Sequence, residues 1–189
     1  MAHAAAVKGW FKIAGVQDGD RTLDEQMKGL ERLLTRVPGK SVLDLGCAEG
    51  LIGAQLVAAG AVEVDGVNVV EHELAAAKKL HKGKPMRFFR AHLGNADERA
   101  LLDGELLARY DVVLLLSVLH KVKDPQAFLE WAVGYADELV VIRLPAPVLS
   151  HARSNHRPYP IRDWMTKRYE LLCEPKTCRG EWLGYFAKR

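Results

Sequence analysis

The sequence has few cysteines and no long apolar run. Its 189 residues include three cysteines, Cys47, Cys173 and Cys178, and none of them stands in a CxxC pair. This odd, unpaired set argues against a disulfide framework and against a structural zinc site, and it favours a reducing cytoplasm. The longest apolar stretches, such as residues 112–116, are far shorter than the roughly 20 residues that span a bilayer. We therefore expect no membrane segment and no metal site.

The N terminus also lacks the pattern of a secretory signal. Its first six residues are small and apolar, but the first lysine, Lys8, follows them and no long apolar region comes after it. We therefore expect no signal peptide. The length predicts one domain overall, with residues 1–39 as an N-terminal cap and helix and residues 40–189 as an α/β domain.

The net charge of the chain is small, but charge is unevenly distributed along it. The formal net charge is +3, yet residues 146–189 hold nine Lys or Arg against four Asp or Glu, an excess of +5. The rest of the chain therefore carries about −2. This basic C-terminal segment is either a solvated surface or a surface that meets an anionic partner.

Short apolar runs alternate with helical patterns along the chain. The predicted strands are residues 41–45, 62–69, 86–91, 111–116, 139–144, 169–173 and 182–187, and the predicted helices include residues 23–37, 51–59, 71–81, 125–135 and 163–168. Three of the predicted helices begin at capping residues, namely Thr22, Asn95 and Asp124. The alternation predicts an α/β fold with a parallel sheet covered on both sides, and the last two strands are close enough to form an antiparallel hairpin.

The most informative segment is the turn after the strand at residues 41–45. Asp44 lies in this strand, and Gly46, Ala48 and Gly50 follow it before a helix begins. In open parallel sheets, ligands bind beyond the carboxyl ends of the strands. No Lys-Ser/Thr pair follows the glycines, which disfavours a phosphate-binding P-loop, and a carboxylate suits a cationic ligand. A tight turn without a ligand explains the glycines equally well.

This segment resembles motif I of the class I, Rossmann-like S-adenosylmethionine-dependent methyltransferases. Gly46 and Gly50 match the outer glycines of that motif, and Ala48 replaces the middle one, which costs little if its φ is negative. Residues 64–68 and 111–120 are similar to the family's second and fourth strand motifs, so the resemblance covers roughly residues 40–145 in order. It implies a doubly wound, mostly parallel seven-stranded sheet with a C-terminal antiparallel hairpin, and S-adenosyl-L-methionine as cofactor.

The resemblance also implies a set of cofactor-binding residues. They are Asp44, Gly46, Cys47, Ala48, Gly50, Asn68, Val69, His92, Leu93, Leu116 and Ser117. Asn68 departs from the family, which usually places there an acid that accepts the ribose hydroxyls, and Glu71 is the substitute we expect. His92 and Leu93 follow the third strand, where an acid is also common, and Asn95 is the nearest polar alternative. These departures keep open a modified cofactor or a non-catalytic relative.

The candidate catalytic residue is His120, at the end of the fourth strand. Methyl transfer from a sulfonium needs alignment and, for some acceptors, removal of a proton, which a histidine accepts near neutral pH. The alternative is that His120 only caps the strand or packs under the next helix. Trp10 and Phe11 have two interpretations as well: they close over the cofactor or cover the core.

The acceptor is predicted to be a small molecule, with RNA as the alternative. Residues 116–119 lack the Asp/Asn-Pro-Pro-aromatic pattern of amino-directed nucleic-acid methyltransferases, and no cysteine follows a proline as in cytosine C5 enzymes. The basic C-terminal segment keeps RNA open because it interleaves cations with aromatic rings. Its members are Arg153, His156, Arg157, Arg162, Lys167 and Arg168, with Tyr159, Trp164 and Tyr169. A dinucleotide-binding oxidoreductase is a weaker alternative, since no acid ends the second strand.

Overall fold

The computed structural model describes residues 9–145, 158–178 and 180–189. The strands are β1 (Gly9–Phe11), β2 (Gly19–Arg21), β3 (Ser41–Leu45), β4 (Glu63–Asn68), β5 (Met86–Arg90), β6 (Tyr110–Leu116), β7 (Ala136–Leu144), β8 (Tyr169–Cys173) and β9 (Trp182–Lys188). The α-helices are α1 (Leu23–Met27), α2 (Glu31–Leu34), α3 (Leu51–Ala58), α4 (Glu71–Leu80), α5 (Ala96–Leu102), α6 (Pro125–Gly134) and α7 (Pro158–Thr166). A 3-10 turn, Leu119–Lys121, follows β6.

Seven of the strands form one sheet in the order β5-β4-β3-β6-β7-β9-β8. The first five of these strands are parallel, and β9 runs antiparallel to both β7 and β8. This confirms the predicted doubly wound sheet with its C-terminal antiparallel hairpin. The chain moves outward from β3 to β4 and β5 on one side and returns through β6 on the other. The carboxyl ends of β3 and β6 therefore flank the crevice where such sheets bind ligands.

The central strands are apolar because both of their faces are buried. On β6, Val113 and Leu115 pack into one layer of the core, whereas Val112 and Leu114 pack into the other, and all four are at most 2% exposed. Burial on both faces explains why this strand reads as a continuous apolar run.

The caps predicted at Asn95 and Asp124 are present. Among the helices of the described residues, none combines the length and apolar character needed to cross a membrane.

The predicted helix over residues 23–37 is wrong in its extent. The capping box of Thr22 and Glu25 is present, but α1 ends at Met27, and α2 starts only at Glu31. Two distant side chains hold the carbonyl groups at the break: Arg143 Nη2 donates to the Gln26 carbonyl (2.6 Å), and the Tyr185 hydroxyl donates to the Gly29 carbonyl (2.7 Å). A φ of +84° at Gly29 makes the break sterically acceptable.

The first described residues form a small second sheet that the sequence did not predict. Strands β1 and β2 pair in parallel, and the buried carboxylate of Glu49 accepts from the backbone N–H groups of Trp10 (2.7 Å) and Phe11 (3.2 Å). Glu49 lies in the glycine-bearing turn between β3 and α3. This turn therefore fixes the N-terminal strands over the carboxyl end of the main sheet.

Candidate active site at the carboxyl ends of the strands

A cavity of about 210 Å³, partly open to solvent, lies where the turns after β3, β4, β5 and β6 meet. Its lining comprises Trp10, Gly46, Ala48, Asn68, Val69, Val70, Glu73, Ala91, His92, Leu93, Gly94, Leu116, Ser117, Val118, Lys121 and Val122. Ligand sites are mostly apolar with a few polar groups that fix orientation. The composition of this cavity fits that description.

The turn from Gly46 to Gly50 presents bare backbone to the cavity. The N–H groups of Gly46 (2.8 Å) and Cys47 (3.1 Å) both donate to the Val67 carbonyl, which fixes the turn against β4. A Cβ added to Gly46 would lie 3.2 Å from the Val118 Cβ, so a side chain there would press on the segment that follows β6. The missing side chain therefore lets the segment after β6 pack closely against the turn.

Ala48 lies in a strained backbone conformation. Its φ is +48°, so the condition under which alanine would cost little at this position is not met. Ser117, with φ +59°, is the other described non-glycine residue at positive φ. Each such residue costs about 1 kcal/mol or more, because its Cβ crowds the adjacent peptide. Both residues line the cavity, and backbone strain of this kind concentrates at functional sites.

Most of the predicted cofactor-binding residues line the cavity, but Asp44, Cys47 and Gly50 do not. The ones that do are Gly46, Ala48, Asn68, Val69, His92, Leu93, Leu116 and Ser117. Asp44 is 1% exposed and Cys47 is 5% exposed, and Cys47 packs against Gly66 of β4. Gly50 lies against the ring of Phe88. These three residues support the turn from beneath instead of meeting the cavity.

The Asp44 carboxyl is buried, and nearby positive charge offsets only part of the cost of ionising it there. Burial raises its pKa to about 7, and the nearby Arg143 guanidinium only partly opposes this shift. Its Oδ1 atom has no hydrogen-bond partner. Burial therefore favours the neutral form of this carboxyl over its anion, which weakens the case for an anionic strand end beside a cationic ligand.

The acid that lies beside Asn68 is Glu73. The Asn68 amide donates to Glu73 Oε2 (2.6 Å), and the Asn68 oxygen accepts from the Val69 N–H (2.9 Å). Glu71, the substitute expected from the sequence, is exposed and pairs with Arg90 (3.1 Å), so that expectation is wrong. Helical periodicity carried a signal for Glu73, because it lies three and four residues after Val70 and Val69, which also line the cavity.

Burial raises the pKa of Glu73, and the hydrogen bond from Asn68 opposes that rise. At the next strand end, the His92 N–H donates to Glu98 (2.7 Å), and Asn95 caps α5 by accepting from the Asp97 N–H (2.9 Å). The side chain of Asn95 is therefore engaged in capping, and an acid of α5 holds the backbone at His92.

The segment after β6 brings Lys121, and not His120, to the cavity. His120 is half-buried in the turn Leu119–Lys121 and is absent from the lining. Lys121 Nζ lies 4.6 Å from the centroid of the Trp10 ring, and both side chains line the cavity. Phe11, by contrast, is 2% exposed and belongs to the core. Phe11 therefore covers the core, whereas closure of Trp10 over a cofactor stays a prediction.

The basic C-terminal segment is partly neutralised within the protein. Arg162 pairs with Glu174 (2.9 Å), and the Arg168 guanidinium lies 4.2 Å from the centroid of the Trp164 ring. Arg153, His156 and Arg157 lie outside the described residues. Across the part of the chain that the structure describes, no group of three or more His, Cys, Asp or Glu side chains is placed to hold a metal ion.

Comparisons with known proteins agree with this architecture. Residues 43–135 match the family described as "Methyltransferase domain". A ubiquinone biosynthesis O-methyltransferase of Aromatoleum aromaticum is 33% identical over 87 residues, which are 46% of this chain and 35% of the relative. A protein with the same description from Leptothrix cholodnii is 28% identical over 107 residues, which are 56% of this chain and 43% of the relative. The chain thus matches less than half the length of these curated relatives.

Solved structures share the fold across most of the chain. Magnesium protoporphyrin IX methyltransferase from Synechocystis PCC 6803, crystallised with bound S-adenosylmethionine, has a TM-score of 0.63 at 18% identity, with 90% of this chain and 87% of that one covered. A putative S-adenosylmethionine-dependent methyltransferase from Listeria monocytogenes has a TM-score of 0.69 at 15% identity, covering 89% of this chain and 100% of that one.

The sheet order and these structures define the class I methyltransferase fold. Together with the family match at residues 43–135, they identify the chain as a member of the class I, Rossmann-like S-adenosylmethionine-dependent methyltransferases.

Proposed function

We propose that the chain binds S-adenosyl-L-methionine in this cavity and transfers its methyl group to a small molecule. The observation that carries the proposal is the turn Gly46–Gly50, whose residues Gly46 and Ala48 line the cavity at the carboxyl ends of β3 and β6. The bound cofactor supplies a methyl group already activated on a sulfonium. The curated relatives named as O-methyltransferases support an acceptor oxygen.

The residues present fit such a cofactor. Gly46 lines the cavity without a side chain, and the Glu73 carboxylate beside Asn68 supplies a hydrogen-bond acceptor for sugar hydroxyl groups. The buried apolar side chain of Leu93 and the backbone of Gly94 offer a surface for a flat ring. In our proposal, the protein aligns the acceptor with the sulfur along the line of displacement.

Two alternatives remain distinct from this proposal. An RNA acceptor would use the basic C-terminal segment, so its apparent affinity would fall steeply with salt, whereas a small-molecule KM would not. A non-catalytic relative would bind the cofactor without turnover.

We also propose a cytoplasmic location, supported by the three cysteines, which are free thiols in the structure.

The role of His120 stays a prediction. Its side chain follows Ser117 closely in the chain but does not line the cavity, and catalytic hydrogen bonds often form only once the substrate is bound. We expect His120→Ala to lower kcat by about a hundredfold or more because the acceptor proton loses its base. Its affinity for S-adenosylhomocysteine should stay unchanged by calorimetry. Unchanged kcat would remove His120 from the mechanism.

Calorimetric titration with S-adenosylhomocysteine tests the proposal directly. We expect one site per chain with a micromolar-range Kd, about −8 kcal/mol. Ala48→Leu, which places a larger side chain on the cavity wall, should abolish the heat while circular dichroism confirms folding. Absence of binding by the unaltered protein at millimolar ligand would refute the proposal.

A further inference from the structure

The carboxylate of Glu49 accepts three hydrogen bonds from the segment that carries Trp10. Its side chain is 0% exposed, and two of the donors are the backbone N–H groups of Trp10 (2.7 Å) and Phe11 (3.2 Å). The third donor is the side-chain amide of Gln17, which also donates to the Phe11 carbonyl (2.9 Å). Hydrogen bonds to a carboxylate are about twice as strong as those between neutral groups. Strand β1 is therefore fixed firmly to the turn that contains Glu49.

The backbone of Glu49 is itself held by the main domain. Its carbonyl oxygen lies 3.0 Å from Nε2 of the buried His81, which directly follows α4. The next residue, Gly50, is the N-cap of α3. The position of the Glu49 carboxylate is thus set by the start of α3 and the end of α4, and β1 is placed by that carboxylate.

Gly9 gives β1 the space that this contact needs. A Cβ added to Gly9 would lie 2.2 Å from Oε1 of Glu49 and 1.8 Å from Nε2 of Gln17. Both atoms belong to the contact itself, so any side chain at this position would displace the groups that make it. The φ of Gly9 lies outside the left-handed range, so glycine is required here for space and not for its backbone conformation.

The contact at Glu49 also places one wall of the cavity. Trp10 lines the cavity together with Gly46 and Ala48, which belong to the same turn as Glu49. The Trp10 ring meets Lys121, in the segment after β6, with Nζ 4.6 Å from the ring centroid. A single cation–π contact is weaker than three hydrogen bonds to a buried carboxylate. Glu49 therefore contributes more than Lys121 to the position of Trp10.

We propose that Glu49 is a positioning residue, which holds the Trp10 ring as a wall of the cavity and so raises the affinity of the cavity for its ligand. This inference rests on the proposed function and adds to the same site a residue outside the lining. A ligand that needs the wall binds only those molecules in which the wall is in place. Loosening β1 therefore lowers the apparent affinity by the fraction of molecules that lose the wall.

Calorimetric titration with S-adenosylhomocysteine measures this effect. We expect Glu49→Gln to weaken binding by about tenfold, because an amide has only one oxygen to accept the N–H groups that face it. Gly9→Ala, which leaves Glu49 unchanged, should weaken binding by a similar factor. Glu31→Gln and Gly134→Ala are the matched controls and should bind normally. Glu31 accepts from the Gly29 N–H (2.7 Å) away from the cavity, and a Cβ at Gly134 meets no atom within 4 Å.

A comparison on two backgrounds separates positioning from a purely structural role. In Trp10→Ala the wall is already lost, so adding Glu49→Gln should change the affinity for S-adenosylhomocysteine by less than about twofold. The same loss with and without the Trp10 ring would overturn the inference, because Glu49 would then act on the turn alone. Unchanged affinity in Glu49→Gln and Gly9→Ala would overturn it as well. If Glu49→Gln does not fold, Gly9→Ala takes its place in this comparison.

Hydrogen exchange separates failure of this inference from failure of the proposed function. Without ligand, the amides of residues 9–21 should exchange about tenfold faster or more in Glu49→Gln than in the unaltered protein, as measured by mass spectrometry. In Glu31→Gln they should exchange at the unaltered rate. An unaltered protein that does not bind S-adenosylhomocysteine refutes the proposed function, and the exchange rates then decide alone whether Glu49 positions Trp10. Rates that agree within about twofold in Glu49→Gln and the unaltered protein would overturn the inference.

Discussion

Replacing Asp44 by Asn is expected to raise the free energy of unfolding by about 4 kcal/mol at pH 8 and by less than about 1 kcal/mol at pH 4. Burial raises the pKa of this carboxyl to about 7, well above its value of 3.8 in an unfolded chain. Between these two values the unfolded state loses the proton that the native state keeps, so stability falls as pH rises. An amide of the same size removes that dependence.

Urea unfolding of both proteins between pH 4 and 8 measures the effect. Asp163→Asn, at an exposed aspartate on α7, is the matched control and should follow the unaltered protein throughout. If the free energies of unfolding of Asp44→Asn and the unaltered protein change with pH in the same way, the pKa of Asp44 is not raised in the native protein. The account of its burial would then be wrong.

Glu73→Gln is expected to weaken binding of S-adenosylhomocysteine by between about ten and a hundredfold. We propose that Glu73 takes the place of the carboxylate that the family pattern has at position 68, and Asn68 donates to it in a 2.6 Å hydrogen bond. A hydroxyl donates more strongly to a carboxylate than to an amide oxygen. Calorimetry on the purified variant measures the loss. Glu71→Gln, on the same helix but paired with Arg90, should bind normally.

Combining Glu73→Gln with Asn68→Asp gives a sharper test of the role of Glu73. Asn68→Asp alone sets two carboxylates within hydrogen-bond distance, so it should not improve binding, because like charges repel. The double variant Asn68→Asp/Glu73→Gln exchanges carboxylate and amide and should recover affinity to within about threefold of the unaltered protein. If the affinity losses of the two single variants simply add in the double variant, Glu73 does not take the place of the acid that the family has at position 68.

The strands of the sheet were predictable because burial on both faces leaves an apolar run in the sequence. Strand β3 starts and ends as the pattern predicted, and β6 starts one residue earlier than predicted, at Tyr110. The break between α1 and α2 was not predictable locally. It depends on Arg143 and Tyr185, which lie more than a hundred residues away in the sequence. Long-range side-chain contacts of this kind override helical periodicity.

Part of the candidate site was likewise predictable from the sequence, and part was not. Backbone features such as the turn at Gly46 follow from residue type, because only small residues leave room there. Which acid approaches Asn68 depends on the packing of α4, so Glu73 lies beside Asn68 although the sequence pattern favoured Glu71. The contact between Lys121 and Trp10 joins segments far apart in the chain, so no local pattern indicated it.

The central claim is that the cavity bordered by Gly46 and Ala48 holds the adenosyl cofactor. A crystal structure after soaking with S-adenosylhomocysteine tests it most directly. We predict density for the nucleoside against the backbone of this turn, with its ribose hydroxyls at Glu73. Nucleoside density at another place on the protein, or this turn filled by the protein's own side chains in every crystal, would contradict the account.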